Sequence, residues 1–335
     1  MTVYPDNTKI FPGGMWPFSD ASGIPKSSDY SDWDYRSIWT VPGNGSVVTD
    51  AVIRLVVNYD SDMESDFGDL RFTDKDCAAI PHYTRLKLDD NWAVVHVKIA
   101  SLPADGTYIQ MYFGKTGESA LNTSVYDTNL TTAFGGVILD PKYDVDTGDA
   151  GAVAEGSGYM SITNPSSTTQ VSSILGVGAG CHAIDFVIET SDITAFNFGL
   201  INTDNDNYLF LSIDTNTTMY SVDDSGTDTG NTVAVLTAGT PWYVQIVRDT
   251  ANSRAWFVAD TTPFLPQDYG DLSKGFIAGT KAQIMTSLGH INDDMSRSFF
   301  TILTSMDGVV KCYDLAAYKY AGGANAPKLA WKEGI

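Results

Sequence analysis

The chain has 335 residues, 41 of them acidic and 20 basic, for a net charge of −21. That balance excludes a nucleic-acid binder that grips phosphates through a positive surface, and no apolar run approaches the ~20 residues of a membrane-spanning helix. At roughly 100–200 residues per domain, the length predicts two domains, and an apolar content of 43% is enough for two real cores.

Residues 1–31 are rich in Pro, Gly, Ser and aromatics and show little periodicity. They read as an irregular arm. Its Phe11, Trp16 and Phe18 predict packing on its own domain or on a neighbouring subunit. The N-terminus has no basic start followed by an apolar segment, so it is not a secretory signal peptide. Either a signal has been removed, or the protein leaves its cell by another route, as a virion component released by lysis does.

From residue 32 the apolar period becomes two, the mark of half-buried strands. Ile53, Leu55, Val57 and Tyr59 share a face opposite Arg54 and Asn58. Leu86 and Leu88 alternate with Arg85 and Lys87. Val95, Val97 and Ile99 oppose His96 and Lys98, and Ile109, Met111 and Phe113 oppose Gln110 and Tyr112. Between these strands sits "SDFGDLRFTDKDCAAIPHY" (65–83). Leu70 and Phe72 make its middle a strand, with Asp69 and Asp74 as turn caps and partners for Arg71. The polar stretch 118–136 reads as a linker.

After the linker the strands resume. Ile184, Phe186 and Ile188 share a face, and two hairpins are predicted, turning at Asp204–Asn207 and at Thr250–Ser253. "SFFTILTS" and "VVKCYDLAAYKY" read as closing strands. The chain is thus expected to be all-β, with two tandem antiparallel β-sandwiches of jelly-roll type: residues 32–125, then 126–335.

The order of residues says more. "WDYRSIWTV", "DFGDLRFTDKDCAAIPHY" and "NWAVVHVKIASLPADGTYIQMYFGK" resemble an uncharacterised β-sandwich domain of archaeal and bacterial surface and secreted proteins. The match covers roughly residues 30–130 and departs from the family's close at Tyr112-Phe113-Gly114-Lys115. The second half, through "PWYVQIVRDTANSRAWFVAD" and "YDLAAYKY", is similar to the concanavalin-like or laminin-G-like jelly roll that commonly follows that domain. The resemblance implies a module of a cell or particle surface and carries no catalytic reaction with it.

Residues in a pattern that supports chemistry are few. A retaining glycosidase needs two carboxylates about 5–5.5 Å apart, and Glu155, Glu189 and Glu333 are isolated. Asp60, Asp62, Glu64 and Asp66 have the opening spacing of a calcium loop, but Ser65 and Arg71 stand where such a loop wants Gly and Glu. A looser Ca²⁺ site is the alternative there and at Asp204 and Asp206, against ordinary turn chemistry. No nucleophile elbow follows a strand. The four histidines lack metal-ligand spacing, and the three cysteines, Cys77, Cys181 and Cys312, form no CxxC pair. Cys312 reads as a buried free thiol, with pairing to Cys181 left open. Trp92, Tyr112, Tyr208 and Tyr220 lie on outer faces or near turns, where they can serve as stacking platforms for a glycan. The expectation is therefore a non-enzymatic structural or adhesive protein of a virion, cell surface or extracellular space. Such a virion part would be a capsid decoration, turret, spike or tail protein. It would need no cofactor, or at most calcium. Its partners would be other surface proteins, copies of itself in a homo-oligomer, and surface glycans. Nucleic acid and membrane insertion are not expected. A secreted carbohydrate-binding protein is the alternative, and a glycoside hydrolase a lesser one.

Overall fold

The computed structural model describes residues 24–43, 45–123, 125–126, 143–156, 158–163, 165–173, 182–190, 196–201, 208–213, 218–223, 227–235, 237–249, 254–261, 282–286, 297–302, 309–319 and 328–334. Apart from two short 3-10 turns, Ser28–Tyr30 and Ala150–Ala152, every element among them is a strand. The first six are β1 (Tyr35–Val41), β2 (Val48–Asn58), β3 (Arg71–Thr73), β4 (His82–Leu88), β5 (Trp92–Leu102) and β6 (Thr107–Phe113). Then come β7 (Tyr143–Thr147), β8 (Val153–Gly156), β9 (Tyr159–Thr163), β10 (Thr169–Ser173), β11 (His182–Thr190), β12 (Phe196–Ile201), β13 (Tyr208–Ile213) and β14 (Thr218–Asp223). The last seven are β15 (Thr227–Val235), β16 (Trp242–Asp249), β17 (Arg254–Asp260), β18 (Ala282–Thr286), β19 (Arg297–Ile302), β20 (Val309–Lys319) and β21 (Lys328–Gly334). All paired strands run antiparallel.

The smaller unit comprises residues 1–125 and 321–335. Its sheets are β21-β1-β6-β3 and β2-β5-β4. The alternation read from the sequence builds its core: Ile53, Leu55 and Val57 from β2, Val95, Val97 and Ile99 from β5, and Ile109, Met111 and Phe113 from β6 all belong to one buried cluster with Leu70 and Phe72. Strand β4 departs from the expected pattern. A register shift between Thr84 and Leu86 breaks its alternation, and Leu88 is left 52% exposed. As an edge strand, β4 has one neighbour, and its outer end is not covered.

The larger unit, residues 126–320, has two seven-stranded sheets, β15-β14-β13-β12-β19-β10-β7 and β18-β17-β16-β11-β20-β9-β8. They face each other as a sandwich: Phe186 of β11 meets Phe198 of β12 edge-on, with ring centroids 5.2 Å apart. The strands of both predicted hairpins pair antiparallel, β12 with β13 and β16 with β17; the predicted turns at Asp204–Asn207 and Thr250–Ser253 lie outside the described residues. The expected closing strands instead lie inside the sheets. β19 runs between β12 and β10, and β20 between β11 and β9. Cys312 of β20 is buried; Cys181 lies outside the described residues.

The expectation of two sandwiches in series, the second running to residue 335, is corrected by the last strand. β21 pairs with β1, Tyr35 opposite Gly334 and Arg36 opposite Glu333. The larger sandwich is therefore an insertion between β6 and β21 of the smaller one. The expected linker also begins later than residue 118. Ser119 O accepts from Arg71 Nη2 at 3.1 Å, Asn122 Oδ1 from Thr84 N at 3.0 Å, and His82 O from Thr123 N at 2.9 Å. The rest of the expected linker, past residue 126, lies outside the described residues.

Candidate functional site

The acidic run after β2 is a chain of turns in which carboxylates bind backbone N–H groups, both of their own loop and of the segment after β6. Asp60 Oδ1 accepts from Asp62 N at 3.1 Å, and Asp66 Oδ1 from Gly68 N at 2.9 Å. Glu64 Oε1 accepts from Gly117 N. Asp66 also lies 3.7 Å from the Lys87 ammonium. Behind them Asp69 is fully buried. Its two oxygens accept from Glu64 N at 3.2 Å and from Gly114 N at 2.5 Å. Gly114 sits at φ +90°, and a Cβ there would approach the Tyr35 ring to 2.8 Å, so the turn that presents this N–H to Asp69 needs glycine. Burial is the main influence on Asp69 and pushes its carboxyl above the ordinary carboxylate range, against the hydrogen bonds that hold it down.

The side chains of Asp60, Glu64 and Asp66 thus hold backbone N–H groups. Among the described residues no group of three His, Cys, Asp or Glu side chains is placed to hold a metal ion. Asp204 and Asp206 lie outside the described residues. Arg71 takes a different partner from the two expected. Its guanidinium pairs with Glu118 at 2.8 Å and donates to the carbonyls of Gly68 and Leu70. Asp74 instead caps the exit turn, accepting from Asp76 N and Ala78 N, each at 2.9 Å. Glu118 is shared with Lys115, which also reaches Asp32 at 2.6 Å and lies 4.2 Å above the Trp33 ring.

Tyr112 is the clearest correction among the predicted platforms. The pleat does put it on the face of β6 opposite Met111 and Phe113, as the alternation requires, yet it is 0% exposed. Residues 24–33 lie over that face. Ser27 N donates to Tyr112 Oη at 2.9 Å, Tyr112 Oη donates to Gln110 Oε1 at 3.0 Å, and the Tyr30 ring packs 5.2 Å from that of Tyr112. Arg36, 1% exposed, clamps the cover: it donates to Pro25 O at 2.8 Å, Ile24 O at 3.1 Å and Gln110 Oε1 at 2.7 Å. Part of the expected arm is thus the outer wall of its own domain. Phe11, Trp16 and Phe18 lie outside the described residues.

Trp92 opens β5, half-buried, paired with Asn58 and Leu88 at the rim of the three-stranded sheet. Tyr208 pairs with Ile201, and Tyr220 with Ser212. Since Ser212 is four residues from Tyr208, the two tyrosine positions fall on one face of the sheet, in neighbouring strands and about 13 Å apart along them. It is the face opposite Phe196 and Phe198, which are buried in the sandwich. Both tyrosines stand out in the sequence, but nothing local to either shows that they share a face.

A model of a family described as a domain of unknown function (DUF2341) matches residues 66–134, which takes in the D-L-R-F-T-D stretch. No curated protein matches the chain. Among solved structures, the exoplasmic/lumenal domain of VIP36 in its Ca²⁺/Man3GlcNAc-bound form is 8% identical over 62% of this chain and 99% of its own, with a TM-score of 0.42. Basic winged bean lectin with Tn-antigen is 12% identical over 55% of this chain and 94% of its own, with a TM-score of 0.38. A sialidase is 8% identical over 64% of this chain with a TM-score of 0.38, and this chain spans 20% of its length. None of these carries a residue role or a ligand to this chain. The chain itself is a set of antiparallel β-sandwiches, and no helix among its described residues is long and apolar enough to cross a membrane.

Proposed function

We propose that the chain is a non-enzymatic structural or adhesive protein of a virion, cell surface or extracellular space, in which the smaller sandwich is a scaffold and the larger one binds a surface glycan. The observation that carries this reading is the register that brings Tyr208 and Tyr220 to one face of the larger sandwich, since aromatic faces stack on sugar rings much as they do on other apolar surfaces. The use of Asp60, Glu64, Asp66 and Asp69 as backbone caps supports a role without acid–base catalysis. The insertion of the larger sandwich between β6 and β21 suits a displayed module, because it is tied to the scaffold at both ends. In the virion version the protein is a capsid decoration, turret, spike or tail component assembled as a symmetric homo-oligomer.

A glycan array probed with the whole chain, with and without Ca²⁺, tests this. Binding to a defined glycan set without turnover is the expected result. Release of reducing ends from any bound polysaccharide overturns the non-enzymatic part, and the absence of binding to every glycan overturns the ligand class.

A further inference from the structure

The sheet β18-β17-β16-β11-β20-β9-β8 carries a row of tyrosines on its outward face. Trp242, Ile188, Cys312 and Met160 stand opposite one another on the inward side, the side of Phe186, and are buried. One residue along, on the other side of the pleat, the row is Asp260, Tyr243, Val187, Tyr313 and Tyr159. All five side chains are half-buried. The rings of Tyr313 and Tyr159 meet with centroids 5.2 Å apart. At the ordinary strand spacing the stretch from Tyr243 to Tyr159 spans about 14 Å. The next row of the same face is Glu189, Lys311 and Ser161. Lys311 Nζ donates to Glu189 Oε1 at 3.2 Å, and Tyr313 Oη donates to Glu189 Oε2 at 3.1 Å. The Lys311 ammonium also lies 5.0 Å from the centre of the Tyr159 ring. The Lys311 and Glu189 side chains are 29% and 23% exposed, so a ligand can reach them. In the other direction the face closes: Asp185, Gln245 and Ala316 are buried, and Gln245 Nε2 donates to Asp185 Oδ1 at 3.0 Å. At the boundary between the closed and open ends, two residues of β20 stand opposite Phe186 of β11. Such a bulge re-aims side chains and is over-represented beside functional sites.

Tyrosine rings offer apolar area to the C–H face of a sugar while keeping a polar hydroxyl at the tip. A carboxylate has about four acceptor positions and an ammonium three N–H donors. Among the described residues Glu189 takes two donors and Lys311 gives one, so both retain capacity for hydroxyl groups, which donate and accept in turn. We infer that this face binds an uncharged glycan chain laid across the strands, with its rings on Tyr243, Tyr313 and Tyr159 and its hydroxyls on Glu189 and Lys311. Two carboxylates, Asp260 and Glu189, face one ammonium here, which disfavours an anionic glycan. The position for a cation over Tyr159 is taken by Lys311 itself. The inference rests on the reading of the larger sandwich as a glycan binder. It adds a face on the sheet opposite the one that carries Tyr208 and Tyr220, and the neutrality of the ligand.

The test uses the whole chain in affinity electrophoresis against neutral polysaccharides (β-glucan, xylan, galactomannan) and anionic ones (polygalacturonate, a sulfated galactan). Binding to at least one neutral polymer is expected, with a loss of tenfold or more in a Tyr159→Ala/Tyr313→Ala double variant. Glu189→Gln keeps the shape, removes the charge and weakens binding fivefold or more; it serves where the tyrosine pair fails to fold. An unchanged thermal midpoint certifies each variant. Full retention of binding by either folded variant overturns this assignment while leaving glycan binding intact, and a loss confined to a Tyr208→Ala/Tyr220→Ala variant moves the glycan to the other sheet. Preference for the anionic polymers overturns the neutrality. Failure of the unaltered chain to bind any polymer removes the glycan reading and this one with it.

Discussion

The two sandwiches treat their outward polar rows in opposite ways. In the smaller one the row Arg36–Tyr112–Arg71 carries two guanidinium groups and is buried, because residues 24–33 are drawn over it. In the larger one the row Tyr220–Ser212–Asn197–Thr301–Gln170 carries no charge. The side-chain amides show the contrast most directly. Gln110 Oε1 accepts from both Arg36 and Tyr112, whereas Asn197 Oδ1 accepts from nothing among the described residues. A polar strand face is therefore ambiguous by itself. Charged donors with carbonyls to bind turn it into a second core in the smaller sandwich.

Four measurements press on this difference, the largest first. Arg36→Ala removes three hydrogen bonds from a charged donor and strands buried acceptors, so it should destabilise the smaller unit by about 3–5 kcal/mol in urea unfolding; a loss below about 1 kcal/mol would mean the cover is not clamped there.

Acid should also act on the smaller sandwich. His82 is 3% exposed and tilted against Phe72 at 4.9 Å, and burial, helped by the Arg71 charge, lowers its pKa from 6.5 to about 4. Above pH 6.5 the imidazole is neutral in both states. As pH falls from 6.5 towards 4 the unfolded chain takes up the proton and the folded one does not, so stability drops by about 3 kcal/mol across that window. His96, fully buried and shifted the same way, adds to the slope. Asp69 has the opposite sign, since its raised carboxyl lowers stability as pH rises through its own range. His82→Gln should flatten the pH dependence of the unfolding midpoint, and an unchanged slope would contradict the assignment.

The amides supply the last pair. Gln110→Ala should cost about 2–3 kcal/mol, because a hydrogen bond to a charged donor is lost in a buried site. Asn197→Ala should change stability by less than about 1 kcal/mol, because an unsatisfied acceptor goes with the side chain. Equal losses at the two positions in matched denaturation curves would erase the distinction between the faces.

The sequence by itself determined the features that a period of two can encode. Apolar residues at alternate positions can bury only one face of a strand, so the all-β class, the two hairpins and the core set of Ile53, Val95, Ile109 and Phe72 were legible in it. Asp, Asn and Gly between strands were legible as turn chemistry, and Asp74 and Asp66 act that way. The tertiary structure alone decided which strands become neighbours and what lies over each face. That β21 returns to β1, that Tyr112 lies under residues 24–33, and that Arg71 pairs with Glu118 all depend on contacts between distant residues. Local alternation tells which side of a strand is apolar but holds no information about its partner across the ladder or its cover.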